Sequence, residues 1–243
     1  MKIVALIPAR YAASRFPGKL MQILGGQTVI WRTYQAAVAT GLFHEVAVVC
    51  DSDIIYNEIT RNGGRAIMSQ QEHECGTDRI AEVVHQIQDA DIILNVQGDE
   101  PFTQKEPLEQ LLKAFTGADG ADVQVASMMQ RITDQRTIED PNCVKVVTDH
   151  FGDALLFSRS VIPYHRDKDV EAAYYKHIGI YAFRPAALQQ FANWPLGRLE
   201  RLEKQEGMRF LENGINIRMV ETDYVNVGID TPEDLIKAEK LIS

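Results

Sequence analysis

The sequence predicts an α/β protein with a mostly parallel central sheet, flanked by helices and carrying an inserted antiparallel element. In the first half, short runs of successive apolar residues alternate with helical patterns, as in strands covered on both faces of a parallel sheet. In the second half, strand-like runs follow one another less regularly. The length of 243 residues allows a full core, and we expect one continuous domain.

The first half predicts strands and helices in alternation. The strands are expected at 3–7, 46–50 and 92–96, and the helices at 29–39, 54–59, 77–87 and 108–115. This order is typical of βαβ units with right-handed crossovers.

The second half predicts strands at 123–129, 144–147, 154–157, 177–183 and 217–220, with helices at 199–211 and 232–241. The last helix has a strong start, because Thr231 suits the cap position and Pro232 the first turn.

The composition excludes several classes of protein. With 25 Lys+Arg against 34 Asp+Glu, the formal charge is −9, so nucleic acid and anionic lipid are poor partners. The three cysteines are far apart and form no CxxC pair, which argues against a disulfide framework or a zinc site. No apolar run approaches a membrane span, so we expect a cytoplasmic protein without membrane insertion.

A basic segment follows the first predicted strand. Arg10, Arg15 and Lys19 fall within ten residues, at the sheet edge where ligands of open α/β sheets bind. In an acidic chain this cluster indicates a triphosphate site, although a solvated loop is the alternative. Ala13 and Leu20 stand where a P-loop needs Gly and Ser or Thr, and no GxGxxG follows the strand. These departures argue against P-loop ATPase chemistry and against dinucleotide binding.

Carboxylates follow the third predicted strand. Asp99 and Glu100 lie at its carboxyl end, and Mg²⁺ prefers one or two carboxylates together with water and phosphate oxygens. The alternative is a turn, which Gly98-Asp99 also favours. Asp230, next to the capping Thr231, gains weight only if folding brings it near Asp99.

Two other features each allow a functional and a structural interpretation. Gly76 and Arg79 open a predicted helix and suit either nucleotide binding or simple capping. His177, alone in a predicted strand, is more typical of a structural histidine than of a ligand. No Ser/His/Asp arrangement around a nucleophile is visible, so covalent catalysis is not predicted.

Seven segments, taken in order, resemble the CMP-KDO synthetases, which are 3-deoxy-manno-octulosonate (KDO) cytidylyltransferases. They are IPARYAASRFPGK, HECGTDRIAE, NVQGDEP, DPNCVKVV, FSRSVIPYHRD, KHIGIYAF and GIDTPEDL. The resemblance runs from Ile7 to Leu235. It implies a glycosyltransferase-A-like nucleotidyltransferase fold, a homodimer, and a Mg²⁺-dependent reaction of CTP with KDO that activates the sugar for lipopolysaccharide synthesis. It also implies that residues 1 to about 120 of the single domain bind nucleotide, and that residues from about 121 to 243 bind sugar and form a dimer.

The resemblance also implies roles for individual residues. The nucleotide-binding set is Pro8, Ala9, Arg10, Ser14, Arg15, Lys19, Gly76 and Arg79, of which Arg10, Arg15 and Lys19 contact phosphate. The catalytic set is Lys19, Arg15, Asp99 and Asp230, with Asp99 and Asp230 as the metal ligands. The residues facing the sugar acid are Gln97, Arg159, His177, Tyr181 and Glu206.

The sugar half departs from the family pattern. Gly207 stands where the family usually has Gln, and Tyr164-His165 replaces Trp-Asp. A modified ulosonic acid such as 8-amino-KDO, or a sialic acid, is therefore an alternative substrate. The alternative from another class is a non-catalytic CTP-binding module, which would not need both Asp99 and Asp230.

Overall fold

The computed structural model describes residues 1–12, 16–224 and 227–242. Within this part the strands are β1 (Ile3–Ala9), β2 (Ile23–Leu24), β3 (Gln27–Thr28), β4 (Glu45–Cys50), β5 (Ala66–Met68), β6 (Ile92–Asn95), β7 (Val125–Ile132), β8 (Lys145–Thr148), β9 (Ala154–Ser158), β10 (Tyr174–Phe183) and β11 (Ile217–Glu221). The helices are α1 (Val29–Ala39), α2 (Asp53–Arg61), α3 (Gly76–Val83), α4 (Lys105–Lys113), α5 (Gln135–Glu139), α6 (Pro185–Asn193), α7 (Arg198–Glu203), α8 (Gly207–Glu212) and α9 (Pro232–Ile242).

The chain divides into two compact units. The first is Met1–Glu106 together with the described residues from 227 onward, and the second is Pro107–Tyr224. The first unit has four parallel strands in the order β6-β1-β4-β5. The residues of β1 from Val4 to Ile7 have no exposed surface, because helices cover both faces of a sheet built in this way.

The helices of the first unit bury one face each. In α1 the buried side chains recur at helical spacing and include Val29, Ile30, Thr33 and Ala37. Thr28 caps this helix, accepting a hydrogen bond from the Trp31 N–H at 3.3 Å. The predicted boundaries of α1 agree with the structure, whereas predicted helix 77–87 ends at Val83 and continues as a 3₁₀ turn over Val84–Gln86.

The second unit is mixed and mostly antiparallel. β7 pairs with β10 antiparallel and with β11 parallel, while β8 pairs antiparallel with both β10 and β9. Its core is aromatic, because Phe183 and Phe191 pack on Phe210 with ring centroids 5.7 and 4.8 Å apart. The predicted fold class, a mostly parallel sheet with an added antiparallel element, is confirmed.

The single helix predicted at 199–211 is wrong. The structure has α7 and α8 there, separated at Lys204, whose φ of 50° is a left-handed conformation that ends a helix. Gly207 then opens α8. Two charged side chains of this segment form a buried ion pair, in which Arg209 donates to both carboxylate oxygens of Glu200 at 2.7 Å.

No helix within the described residues is long and apolar enough to cross a membrane.

Candidate active site

Two neighbouring parallel strands of the first unit end at the same edge and supply most of the predicted nucleotide residues. β1 and β6 are parallel neighbours, with Leu6 opposite Asn95, so the residues that follow the two strands, among them Arg10 and Gln97, lie at the same edge of the sheet. Gly98 is required there, because a Cβ at this position would lie 2.7 Å from the Pro8 carbonyl oxygen. The Thr33 hydroxyl donates to the Gly98 carbonyl at 2.9 Å and fixes the turn.

Lys19 lies between the two predicted metal ligands. Its Nζ donates to Asp99 Oδ2 and to Asp230 Oδ1, the latter at 2.8 Å. The side chains are 15%, 24% and 46% exposed, respectively, so one ammonium and two carboxylates meet at a half-open surface. The sequence prediction that folding brings Asp230 to Asp99 therefore agrees with the described geometry.

A main-chain contact brings the two aspartates together. The Ile229 N–H donates to the Asp99 carbonyl oxygen at 2.9 Å and fixes the segment that enters α9 against the end of β6. Thr231 and Asp234 form a reciprocal cap, since the Asp234 N–H donates to the Thr231 hydroxyl and the Thr231 N–H donates to the Asp234 carboxylate. Thr231, together with Asp234, thus caps α9, whereas the carboxylate of Asp230 binds Lys19.

Lys19 keeps its positive charge. Burial opposes that charge, but the adjacent carboxylates of Asp99 and Asp230 outweigh burial and raise the pKa of Lys19. The ammonium therefore stays charged at neutral pH, as a phosphate-binding group must.

An open cavity of about 220 Å³ lies beside this triad. Its lining is Pro8, Ala9, Arg10, Lys19, Leu20, His73, Glu74, Cys75, Gly76, Arg79, Gln97, Gly98 and Asp99. Arg10 is exposed, and no hydrogen bond or ion pair holds its side chain within the described residues, which leaves the guanidinium available to an anion. Gly76 approaches Pro8 closely, since a Cβ at Gly76 would lie 3.0 Å from Pro8 Cγ.

Arg79 lines the same cavity but is bound within the protein. It is 5% exposed, and its guanidinium donates to Asp51 Oδ2 at 3.1 Å and to Ser69 Oγ at 3.0 Å. The other Asp51 oxygen accepts from the Tyr11 N–H at 2.9 Å. Arg79 thus contributes to the wall and, through Asp51, to the placement of the chain that follows Arg10.

The donor set at Asp99 and Asp230 fits Mg²⁺. Two carboxylates converge on one positive charge, and Mg²⁺ is held in proteins by one or two carboxylates completed with water and substrate phosphates. In the part of the chain that the structure describes, no group of three or more His, Cys, Asp or Glu side chains is placed to hold a metal. A Mg²⁺ ion held by these two carboxylates would therefore take its remaining oxygen ligands from water and from the phosphates of a bound substrate.

The second unit contains a hydrogen-bonded group around His177. Its Nε2 lies 2.9 Å from Ser127 Oγ, and its Nδ1 lies 2.9 Å from Gln205 Nε2. The register of β10 against β7 shifts between Ile178 and Tyr181, and Ser127 Oγ also bonds the carbonyls of the bulge. Burial lowers the pKa of His177 to about 3, so the ring is neutral at neutral pH.

Tyr181 and Glu206 adjoin this group. Tyr181 is 1% exposed, and its hydroxyl lies 3.3 Å from the amide of Gln205. Its ring centroid is 5.2 Å from that of His177. Glu206 is partly exposed and immediately precedes α8.

Arg159 is held by main-chain atoms. Its guanidinium donates to the carbonyl oxygens of Glu203 at 2.7 Å and Pro141 at 3.0 Å, while the Arg159 N–H donates to the Glu203 carboxylate. Within the described ranges no carboxylate pairs with the guanidinium. Its charge therefore remains available to a carboxylate of a ligand.

Lys145 holds the main chain on either side of β8 and β9, including the carbonyl of Arg159. It has no exposed surface, and its Nζ donates to the carbonyl oxygens of Asp140, Cys143 and Arg159 at 2.9, 2.7 and 2.7 Å. The three hydrogen bonds use the full donor capacity of the amine, so this buried side chain has no unsatisfied polar group.

The structure brings the predicted site residues into two groups. The first unit gathers Pro8, Ala9, Arg10, Lys19, Gly76, Arg79, Gln97, Asp99 and Asp230, and the second gathers Arg159, His177, Tyr181 and Glu206. Ser14 and Arg15 lie outside the described residues. Sequence reasoning missed Asp51, Ser127, Lys145 and Gln205, whose spacing carries no recognisable signal.

Comparison with known proteins identifies the family. A sequence model described as cytidylyltransferase matches residues 4–217. The 3-deoxy-manno-octulosonate cytidylyltransferase of Flavobacterium johnsoniae is 57% identical over 242 residues, covering 100% of this chain and 99% of that protein. The chain belongs to the 3-deoxy-manno-octulosonate cytidylyltransferase family. The enzyme of the same name from Christiangramia forsetii is 55% identical, with 100% and 97% coverage.

Solved structures agree with this family assignment. A CMP:2-keto-3-deoxy-manno-octonic acid synthetase complexed with CTP superimposes with a TM-score of 0.92 at 39% identity, covering 100% of this chain and 98% of that one. A 4-diphosphocytidyl-2C-methyl-D-erythritol synthase from Anaerococcus prevotii has a TM-score of 0.63 at 17% identity, over 99% and 98% of the two chains, and shares the fold. The glycosyltransferase-A-like nucleotidyltransferase fold expected for 3-deoxy-manno-octulosonate cytidylyltransferases is thus confirmed.

Proposed function

We propose that this chain transfers the cytidylyl group of CTP to the anomeric hydroxyl of KDO, giving CMP-KDO and pyrophosphate. The observation that carries this proposal is the convergence of Lys19, Asp99 and Asp230 at the carboxyl edge of the parallel sheet, beside a cavity lined by Arg10 and Gly76. Full-length similarity to enzymes of this name supports it.

The cavity of the first unit supplies the binding groups for the nucleotide. Arg10 and Lys19 carry the positive charge that a triphosphate requires, and the edge places both beside the end of β6. The anomeric oxygen attacks the α-phosphorus in line, the hydroxyl proton passes to solvent, and the bond from that phosphorus to the bridging oxygen of pyrophosphate breaks. Lys19 then stabilises charge on the departing pyrophosphate, so positioning and electrostatics supply the catalysis without a covalent intermediate.

Asp99 and Asp230 would hold Mg²⁺. When bound there, Mg²⁺ would polarise the α-phosphate and lower the pKa of the attacking hydroxyl. Before CTP binds, the two carboxylates bind the ammonium of Lys19 instead. If the phosphates of CTP attracted Lys19 instead, the carboxylate oxygens of Asp99 and Asp230 would be available to hold the cation.

The second unit would recognise the sugar acid. Arg159 offers a guanidinium held by carbonyls, which suits the carboxylate of an ulosonic acid. His177, Tyr181 and Glu206 offer polar groups to the hydroxyls. The family pattern also assigns Gln97 to the sugar acid. The proposed division of roles is nucleotide binding up to about residue 120 and sugar binding beyond it.

The family further leads us to propose a cytoplasmic homodimer that activates KDO for lipopolysaccharide synthesis. In the second unit, Phe151 and Tyr164 are 79% and 86% exposed, which is unusual for aromatic side chains and suits an interface. Light scattering after size exclusion tests the assembly, and a mass equal to one chain at micromolar concentration would contradict it.

Pyrophosphate release tests the reaction. CTP with KDO and Mg²⁺ should give release, whereas UTP, or CTP without a sugar acid, should give much less. A panel containing KDO, 8-amino-KDO and a sialic acid then identifies the sugar. Tight CTP binding with no release from any sugar acid would favour the non-catalytic module, and the Asp99→Asn and Asp230→Asn variants would then bind CTP normally.

A further inference from the structure

Gln205 is buried between α7 and α8 with its whole amide in use. The residue is 6% exposed. Its Oε1 accepts from the Gly207 N–H at 2.6 Å, and its Nε2 lies 2.9 Å from His177 Nδ1. The Tyr181 hydroxyl lies 3.3 Å from both amide atoms. One side chain therefore joins His177, Tyr181 and the start of α8.

These contacts determine the tautomer of His177. A main-chain N–H can only donate, so the oxygen of the Gln205 amide faces Gly207 and its NH₂ faces His177. An NH₂ group can only donate as well, so His177 Nδ1 accepts and the ring proton is on Nε2. That proton is donated to Ser127 Oγ, whose own hydrogen goes to the carbonyl of Ile180 at 2.9 Å or Ile178 at 3.2 Å.

Gly207 makes the room that the Gln205 amide occupies. A Cβ at residue 207 would lie 2.7 Å from Tyr181 Oη and 3.3 Å from Gln205 Oε1. A side chain at 207 and the amide of Gln205 thus compete for the same space. The loop conformation set by Lys204, with its positive φ, directs Gln205 inward.

We infer that Gln205 is a positioning residue for sugar-acid binding, which holds His177 in its Nε2–H tautomer and Tyr181 in place. The inference rests on the proposed function, because His177 and Tyr181 are the groups proposed to face the sugar. Gln205 itself acts through these residues. Its loss therefore affects the sugar-acid half of the reaction and leaves CTP binding unchanged.

Two variants and a control separate positioning from folding. Gln205→Leu keeps the buried volume but leaves His177 Nδ1 without a donor. Gln205→Glu keeps the shape and presents an acceptor, so it favours the Nδ1–H tautomer. Gln190→Leu, on the exposed face of α6, is the control.

The ring ¹⁵N chemical shifts, with the His177 signals assigned by their loss in His177→Asn, report the tautomer directly. The wild-type protein and the control should show Nε2–H, Gln205→Leu a mixture, and Gln205→Glu the Nδ1–H form. In steady-state assays, KM for KDO should rise about tenfold or more in both variants, while KM for CTP changes less than about twofold.

The outcomes are distinguishable. An active wild type, with an unchanged tautomer and an unchanged KM for KDO in Gln205→Leu and Gln205→Glu, would overturn the inference. An equal rise of KM for both substrates with a lower unfolding temperature would overturn it in favour of a purely structural role. Absence of pyrophosphate release by the wild-type protein would contradict the proposed function instead, and the ¹⁵N shifts would still decide whether Gln205 sets the tautomer.

Discussion

Replacing Lys19 with Met should strengthen divalent metal binding in the absence of nucleotide. Lys19 Nζ bonds both Asp99 and Asp230, so a cation entering between those carboxylates must displace the ammonium. Met keeps most of the stem length and removes the charge. The expectation is unusual, because the same substitution should weaken catalysis.

The magnitude follows from the exposure of the triad. A unit ion pair at about 4 Å contributes about 1 kcal/mol in water and about 4 kcal/mol at an effective dielectric constant of about 20. Asp230 is 46% exposed and Asp99 24%, so the contribution lies near the lower value for each pair. A metal ion in wild type must first displace the ammonium, at a cost of about 2 kcal/mol for the two pairs together. Removing that cost corresponds to a gain in metal affinity of about tenfold to thirtyfold.

Mn²⁺ binding followed by electron paramagnetic resonance measures this without any turnover. Lys19→Met should bind Mn²⁺ about tenfold or more tightly than wild type when CTP is absent, and Lys19→Met/Asp230→Asn should lose the gain. Lys240→Met, an exposed lysine on α9, is the matched control. If Lys19→Met bound Mn²⁺ no better than wild type, the ammonium would not occupy the cation site and the reasoning would be refuted.

Three further outcomes are expected. Asp99→Ala should lower kcat about 10²-fold or more, because a key electrostatic group is lost, and full turnover at saturating CTP and Mg²⁺ would contradict the metal assignment. Lys145→Met should lower the free energy of unfolding, measured by urea titration, by about 3 kcal/mol, which is about 1 kcal/mol for each of three lost hydrogen bonds to carbonyls. The control is Lys176→Met, at the residue of β10 that pairs with Lys145, and it should change the free energy of unfolding little. His177 has a pKa of about 3 in the folded protein against an ordinary value of about 6.5, so between these pH values only the unfolded chain binds a proton there. The free energy of unfolding should therefore fall by about 2 kcal/mol from pH 7 to pH 5 because of this residue. That part of the decrease should be absent in His177→Asn.

The group of candidate residues in the first unit was predictable because it depends on parallel strands. Adjacent parallel strands end at one edge, so the residues after β1 and β6 had to meet whatever their sequence separation. The local sequence alone provided little evidence for Asp230 as a metal ligand, since an acidic residue just before α9 is also explained by helix capping. Its approach to Asp99 depends on one main-chain hydrogen bond, from Ile229 to the Asp99 carbonyl, which no sequence pattern announces.

The group of candidate residues in the second unit was less predictable because it depends on the interruption between α7 and α8. The pattern over 199–211 favours one helix, and only the left-handed conformation at Lys204 turns Gln205 inward. Buried polar residues such as Gln205 and Lys145 read as surface residues in a sequence, since their burial is set by partners that are distant along the chain.

Local charge balance links the geometry to the order of binding. At the edge of the first unit, Arg10 and Lys19 supply two positive charges, while Asp99 and Asp230 supply two negative charges. These four groups are neutral as a set, in a protein whose net charge is −9, so they offer little net attraction to a triphosphate alone. A divalent cation arriving with the nucleotide would change this balance, because it would bind the carboxylates and leave Arg10 and Lys19 to face phosphate. Nucleotide and metal affinities should therefore each rise in the presence of the other, as linkage requires.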